Sequence, residues 1–120
     1  MSLRTSRKKI DILDKKITRL LNLRAKVTLD IAKIKRKSGT SVYSPDRERE
    51  VLRKIAAINK GPLAPGALEA IYREVMSCSL SLDKPLKIAY LGPEATFTHL
   101  AALKRFGSQV EYVACHSITD

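Results

Sequence analysis

The most extended hydrophobic pattern in the chain lies between residues 7 and 35. Its positions recur at steps of three and four, the spacing of an amphipathic helix with coiled-coil character. They are Ile10, Leu13, Ile17, Leu20, Arg24, Val27, Ile31 and Ile34. We expect a first helix over residues 3–37, ended at Ser38-Gly39, where glycine can adopt a left-handed conformation. Such a helix is about 50 Å long and cannot bury its whole stripe in so small a monomer, so the pattern predicts a dimer.

One position of this stripe, Arg24, is charged. An unpaired guanidinium among apolar side chains costs several kcal/mol, because the charge loses its hydration without gaining a partner. Arg24 therefore requires either a carboxylate from another helix or a bound anionic ligand.

Two shorter helices are predicted after the first. Ser44-Pro45-Asp46 is typical of a helix start, because serine caps the first turn, proline suits the first position and the acid favours the helix dipole. The apolar face of this second helix comprises Val51, Leu52, Ile55 and Ile58. Pro65 begins a third helix, whose stripe comprises Leu68, Tyr72, Val75, Ser79 and Leu82. Asp83 follows Ser79 by one turn and therefore lies on the same face.

The pattern changes after Lys84-Pro85. Predicted elements there are a strand at 86–91, a helix at 96–106 and a second strand at 110–115. So short a unit leaves its strands unpaired and cannot build its own core, so we interpret it as the beginning of an α/β domain. The predicted fold is all-α, with three helices over residues 1–84, followed by an incomplete α/β fragment over residues 85–120.

The net charge of +11 is unevenly distributed. Residues 1–60 carry 18 Lys and Arg against 6 Asp and Glu, whereas residues 61–120 carry 5 against 6. A basic helical unit is compatible with nucleic acid, with an anionic small molecule or with a solvated face. Its lysine clusters lack interleaved aromatic residues, which argues against nucleic acid as the partner.

Composition argues against a membrane protein, a secreted protein and a disulfide-rich or metal-binding scaffold. No apolar run approaches the ~18 residues of a membrane span, so no membrane partner is expected. The basic amino terminus leads into no apolar segment of the kind that secretory signals contain, so we expect a cytoplasmic protein. Cys78 and Cys115 have neither metal-ligand spacing nor the density of a disulfide scaffold, so we expect reduced thiols.

Inward-facing polar residues define a candidate site. Arg24 and Lys35 share a face of the first helix about 16 Å apart along its axis. The other helix ends contribute Arg47, Glu48, Ser79 and Asp83. Arg7 is too far from Lys35 to join them within one subunit, but a dimer could bring it across. This excess of cations over acids implies a ligand with at least two negative charges.

The residue types also restrict the chemistry. No activated nucleophile, metal-ligand set or glycine-rich phosphate loop is evident, so neither a metal nor a cofactor is expected. Cations and hydrogen-bond donors suit a unimolecular rearrangement, because they stabilise developing charge and hold a flexible substrate in one conformer. From the residues alone, the alternative is that Arg24 pairs with a carboxylate of the bundle.

Residues 3–83 resemble the all-helical chorismate mutases. The matching segments are Lys9-Ile10-Asp11, Leu13-Asp14, Leu20-Leu21-Asn22-Leu23-Arg24, Ile31-Ala32-Lys33-Ile34-Lys35, Asp46-Arg47-Glu48-Arg49 and Ser77-Cys78-Ser79-Leu80-Ser81-Leu82. Residues 89–98 resemble the start of a prephenate dehydratase domain, and both occur in this order in bifunctional enzymes of phenylalanine biosynthesis. The resemblance implies an intertwined homodimer of three-helix chains, which converts chorismate to prephenate by a Claisen (3,3) rearrangement without a cofactor.

The resemblance also assigns roles to single residues. Substrate binding falls to Arg7, Arg24, Lys35, Ser44, Arg47, Glu48, Ser79 and Asp83, and catalysis to Arg24, Lys35, Glu48 and Asp83 among them. Arg24, together with Arg7 donated by the other subunit, holds the two substrate carboxylates, which a guanidinium can bond bidentately. Ser79 bonds a carboxylate, and Arg47 adds positive charge nearby.

Further roles concern the reacting atoms. Lys35 faces the ether oxygen, whose negative charge grows in the transition state, and Glu48 accepts a hydrogen bond from the substrate hydroxyl. Asp83 stands where the family commonly has a glutamine or glutamate that donates to the ether oxygen. An ionised carboxylate cannot donate, so Asp83 must be protonated, act through a water or leave this role to Lys35. Some members have aspartate in place of Ser44, so we expect its contact to come from the backbone.

Other functions stay open at this point. Ala95 replaces a usual glycine and the segment with the dehydratase chemistry is absent, so no dehydratase activity is expected. Isochorismate pyruvate lyase uses a similar bundle, although the dehydratase-like segment argues against it. A basic dimeric helical module for nucleic acid is the alternative from another class. Its affinity should fall steeply with salt, whereas turnover of a buried dicarboxylate should respond less.

Overall fold

Four helices and two short strands make up the part of the chain that the computed structural model describes, residues 2–82, 87–93 and 96–115. In chain order they are α1 (Leu3–Lys37), α2 (Pro45–Ile58), α3 (Pro65–Leu80), β1 (Lys87–Leu91), α4 (Phe97–Phe106) and β2 (Glu111–Cys115). The predicted order of elements is confirmed, but α3 ends at Leu80, so Leu82 of the predicted third-helix stripe lies beyond the helix. The predicted site residue Asp83 lies outside the described residues.

Local sequence features account for the junction between α1 and α2. The basic residues 35–37 end α1, where the helix dipole is negative, and Gly39 follows with a φ of 72°. Ser44 caps α2 as predicted, because its hydroxyl accepts a hydrogen bond from the backbone N–H of Arg47 at 3.3 Å. The connector between the two helices therefore starts and ends at positions that the sequence specifies.

The apolar stripe of α1 is exposed in the single chain. Its aliphatic side chains, from Ile10 to Ile34, keep between 45% and 66% of their surface accessible. α3 packs against both α1 and α2, but neither α2 nor α3 covers the stripe of α1. In the described part of the chain, no helix is long and apolar enough to cross a membrane. So long an uncovered aliphatic stripe is typical of a helix that packs against another protein surface.

The fragment after the third helix forms a parallel pair of strands connected through α4. Lys87 lies opposite Glu111 in the register, and Leu91 lies opposite Cys115. The prediction that these strands stay unpaired is therefore wrong for their facing edges, because α4 supplies the crossover that a parallel pair needs. Within the described residues, each strand still has one edge without a partner strand.

The helical part and the fragment are in contact at Ser77 on α3, which is 1% exposed. A Cβ on Gly107, the residue after α4, would lie 2.6 Å from the Ser77 Cβ. The φ of 77° at Gly107 also favours glycine. Met76 is buried beside this contact at 5% exposure. The second half of α3 is therefore the part of the bundle on which the fragment rests.

Candidate active site

A cavity of about 250 Å³ lies between the second half of α1, the start of α2 and the end of α3. This volume is near the lower end of the range of small-molecule sites. Val27, Ile31 and Met76 provide apolar parts of its wall. Six of the eight predicted site residues also line it, namely Arg24, Lys35, Ser44, Arg47, Glu48 and Ser79. The fold thus brings together polar residues from three helices, while their roles stay predictions.

Arg24 contacts a hydroxyl in this cavity. Its Nη1 donates a hydrogen bond to the Ser79 Oγ at 3.4 Å, and the same hydroxyl donates to the backbone carbonyl of Val75 at 3.2 Å. No ion pair within residues 2–82, 87–93 and 96–115 includes Arg24. Among the described residues, which do not include Asp83, no carboxylate pairs with this guanidinium.

Lys35 is half-buried on the same face of α1. Its Nζ donates a hydrogen bond to the backbone carbonyl of Val42 in the connector, at 3.3 Å. Among the described residues it forms no ion pair with a carboxylate. A carbonyl oxygen satisfies one N–H group but does not neutralise the ammonium charge, so the remaining donors of Lys35 are available to an anion.

Glu48 places a carboxylate in the wall of the cavity, with only 13% of its side chain exposed. Its Oε1 lies 3.4 Å from the Arg73 Nη1 on α3. Burial raises the pKa of the Glu48 carboxyl above its ordinary value, and the charges of Arg73 and Arg105 offset part of this rise. The residue pattern does not single out Arg73, because a position one turn after Glu69 is typical of a surface ion pair.

Arg47 stands at the rim of the cavity with 59% of its side chain exposed. Its Nη1 lies 2.9 Å from the Glu50 Oε1, and the Lys54 Nζ lies 2.9 Å from the same oxygen. The Lys54 hydrogen bond and charge, followed by the Arg47 charge, lower the pKa of Glu50. Exposed pairs of this kind are weak, so Arg47 can turn from Glu50 towards an anion in the cavity.

The other two predicted site residues do not line this cavity. Arg7 lies 17 residues before Arg24 on α1, a separation of about 25 Å along the helix axis. Asp83 is outside the described residues. Because of the distance from Arg7 to Arg24, a site that includes both requires a second chain.

In the part of the chain that is described, no group of three or more His, Cys, Asp or Glu side chains is arranged to hold a metal ion.

Known proteins are similar in sequence to both the helical part of the chain and the fragment that follows it. Residues 6–84 match the family model of chorismate mutase type II, and residues 88–120 match that of prephenate dehydratase. The bifunctional chorismate mutase/prephenate dehydratase of Aquifex aeolicus is 48% identical over 122 residues, covering 98% of this chain and 34% of that protein. The protein of the same name from Neisseria gonorrhoeae is 48% identical over 115 residues, covering 95% of this chain and 31% of the relative. The chain thus spans about a third of the length of these curated relatives.

Solved structures share the fold. The Form II structure of a chorismate mutase from Thermus thermophilus gives a TM-score of 0.66 at 30% identity, covering 67% of this chain and 91% of the other. The Form I structure gives a TM-score of 0.63 at 28% identity, with coverages of 64% and 96%. The predicted helical fold class is therefore confirmed. The chain belongs to the type II chorismate mutase family and continues into the beginning of a prephenate dehydratase domain.

Proposed function

We propose that the helical part of this chain converts chorismate to prephenate by a Claisen rearrangement, without a cofactor. The main support is that Arg24 and Lys35 line one cavity while neither has a carboxylate partner within the described residues. Chorismate carries two carboxylates, so it supplies the negative charge that these cations need. On the family resemblance, we also propose that the reaction belongs to the cytoplasmic biosynthesis of phenylalanine and tyrosine.

The proposed mechanism uses position and charge. In this unimolecular reaction one carbon–oxygen bond breaks as one carbon–carbon bond forms, and the protein forms no bond to the substrate. Arg24 and Ser79 bind a carboxylate, which helps to hold the substrate in its compact reactive conformer. The Lys35 ammonium approaches the ether oxygen. Because negative charge on that oxygen is larger in the transition state than in the substrate, Lys35 lowers the barrier rather than only binding the substrate.

We further propose that a second copy of the chain completes the site. The aliphatic stripe of α1 is 45–66% exposed, and helices with such a stripe pair with one another in coiled coils. An antiparallel or crossed pair of 35-residue helices would carry the Arg7 end of one chain towards the cavity of the other. This arrangement gives Arg7 the role that the family resemblance assigns to it, as the second cation for the substrate carboxylates.

Complementation tests the shared site. Arg7→Ala and Lys35→Ala chains should each be nearly inactive alone, but a mixture refolded together should recover activity. Half of the dimers are then mixed and each has one complete site, so about one quarter of the wild-type activity per chain is expected. Refolding the same two variants separately before mixing is the control. If co-refolding restores nothing while wild-type chains regain full activity, Arg7 does not act across subunits.

The acid side of the pH profile should report Glu48. The ionised carboxylate is a stronger hydrogen-bond acceptor for the substrate hydroxyl than the neutral acid, and burial raises the pKa of Glu48. As the pH falls, Glu48 therefore takes up its proton earlier than an exposed glutamate does, and kcat/KM should decline over that range. Glu48→Gln should lower neutral-pH kcat/KM by about tenfold and remove this decline. Asp30→Asn, an exposed acid on α1, is the control, and a decline that persists in Glu48→Gln excludes Glu48 as its source.

Asp83 stays a prediction from the sequence, because it lies outside the described residues. A protonated Asp83 would lose its donor proton as the pH rises, and an ionised carboxylate cannot donate to the ether oxygen. Lys35 is therefore the donor to the ether oxygen on which the proposed mechanism rests.

The proposed function is tested by following the loss of chorismate absorbance after the purified chain is added, with chromatography to identify prephenate as the product. We expect turnover that saturates with chorismate and needs no added metal or cofactor. Conversion no faster than in buffer alone would refute the proposal.

A further inference from the structure

A row of hydrogen bonds joins α3 to the segment that follows α4. The Glu74 carboxylate accepts from the Ser108 backbone N–H at 3.0 Å and from its hydroxyl at 2.6 Å. The Ser77 Oγ accepts from the Gln109 N–H at 3.0 Å, and the Ser81 Oγ donates to the Gln109 carbonyl at 2.7 Å. These bonds, with the close approach of Gly107, join α3 to the fragment after it, which is the start of the second domain.

Arg73 connects this docked segment to the candidate active site. Its Nη1 donates to the Glu48 Oε1 at 3.4 Å and to the backbone carbonyl of Arg105, at the end of α4, at 3.1 Å. Its Nη2 lies 3.6 Å from the Glu69 Oε1. The Arg73 side chain is 22% exposed and the Glu48 side chain 13% exposed, so solvent screens this pair less than a surface pair. One guanidinium thus bonds both the cavity carboxylate and the second domain.

The electrostatic surroundings of Glu48 make Arg73 important for its charge state. Burial favours the neutral carboxylic acid, and Arg73 is the largest influence that favours the carboxylate. The charged residues that line the cavity together with Glu48 are Arg24, Lys35 and Arg47. Arg73 and Arg105 act on the Glu48 carboxylate by their charge, and the Glu69 carboxylate lies against Arg73. Arg73 is the member of this set whose guanidinium hydrogen-bonds the Glu48 carboxylate.

We propose that Arg73 is a positioning residue for the mutase site, which holds the Glu48 carboxylate at the cavity and is itself held by the Arg105 carbonyl of the second domain. This inference rests on the proposed function. It follows that mutase turnover depends on the docking of the second domain, although no side chain of that domain lines the cavity in the described part of the chain.

Substitution of Arg73 in the full chain tests the first half of the proposal. Arg73→Gln should lower kcat/KM by up to about tenfold, no more than the loss expected for Glu48→Gln, because Arg73 acts through the Glu48 carboxylate. The acid decline of the pH profile should move to higher pH, because a cation that favours the carboxylate has been removed. Arg73→Lys should keep most of the pH profile, and Arg53→Gln, exposed on α2, should match the wild type.

Two further measurements separate positioning from a merely structural role. In a Glu48→Gln background, Arg73→Gln should cause no additional loss of kcat/KM, because its target carboxylate is already absent. A ¹³C NMR titration of the Glu48 carboxyl should show a higher pKa in Arg73→Gln than in the wild type, and this readout does not need turnover. Additive losses in the double variant, or an unchanged Glu48 titration, would overturn the proposal.

The second half is tested at the domain contact. Gly107→Val should displace α4 from Ser77, since even a Cβ at this position would lie 2.6 Å from the Ser77 Cβ. We expect a smaller fall in kcat/KM than in Arg73→Gln, with the acid decline shifted in the same direction and the helical circular dichroism retained. A wild-type pH profile and Glu48 titration in Gly107→Val would show that the second domain does not hold Arg73. No turnover in the wild type counts against the proposed function, whereas an unmoved Glu48 titration counts against this inference.

Discussion

Lys35→Ala is expected to lower kcat by about 10²–10³-fold, the loss seen when one preorganised donor to a developing oxyanion is removed. KM should change much less, because the ammonium acts mainly on charge that appears in the transition state. The folded state should lose no more than about 1 kcal/mol, since Lys35 is half-buried and makes one hydrogen bond, to the Val42 carbonyl. Initial rates over a range of chorismate concentrations and thermal melting measure both effects.

Lys33→Ala is the matched control for this experiment, because Lys33 is exposed on the same helix and does not line the cavity. It should retain wild-type kcat and stability. Lys35→Arg should recover part of the activity, since it keeps the charge but changes the shape of the donor. A Lys35→Ala chain that retains near-full kcat would remove Lys35 from the proposed mechanism.

Arg24→Leu should have opposite effects on activity and on stability. Loss of the guanidinium should lower kcat/KM by about 10²–10³-fold, in line with the cost of removing one partner of a buried charge pair. The unliganded protein should become more stable by about 0.5–1 kcal/mol, because a half-buried cation without a carboxylate partner in the described residues is replaced by an aliphatic side chain. Ser79 keeps its hydrogen bond to the Val75 carbonyl, so no buried hydroxyl is left unsatisfied.

Thermal melting without ligand, together with steady-state kinetics, measures this opposition. Arg19→Leu, an exposed position on the same helix, should change stability by less than about 0.5 kcal/mol and leave kcat/KM unchanged. If Arg24→Leu lowers the melting temperature of the unliganded chain by several degrees, Arg24 serves the fold rather than a ligand.

The helices, the end of α1 and the start of α2 were predictable because their determinants are local. The Ser44 cap lies within three residues of the N–H that it bonds, and the left-handed Gly39 lies within two residues of the end of α1. The same periodicity identified Arg24 as a charge on an apolar stripe. It did not identify Ser79 as its hydrogen-bond partner, 55 positions away, because periodicity describes one helix at a time.

The hydrogen bonds that hold Glu48 at the site were not predictable, because periodicity describes one helix at a time. The bond from Arg73 to Glu48 crosses 25 positions, and the bond from Arg73 to the Arg105 carbonyl crosses 32. The pairing of β1 with β2 was predicted wrongly, because the strand pattern shows which residues extend but not which edges meet. Such contacts depend on how elements pack, and packing is decided by surfaces far apart in the sequence.

By itself, the sequence determined the order of the helices, the end of α1 and the start of α2. It also determined the uneven charge, the need of Arg24 for an anionic partner and the resemblance to the chorismate mutases. Only the tertiary structure decided that Arg24, Lys35, Glu48 and Ser79 share one cavity and that the end of α4 contacts Arg73. The physical reason is the range of the interactions. Capping and periodicity act within a few residues, whereas a buried site is made of contacts between helices whose relative positions no single helix specifies.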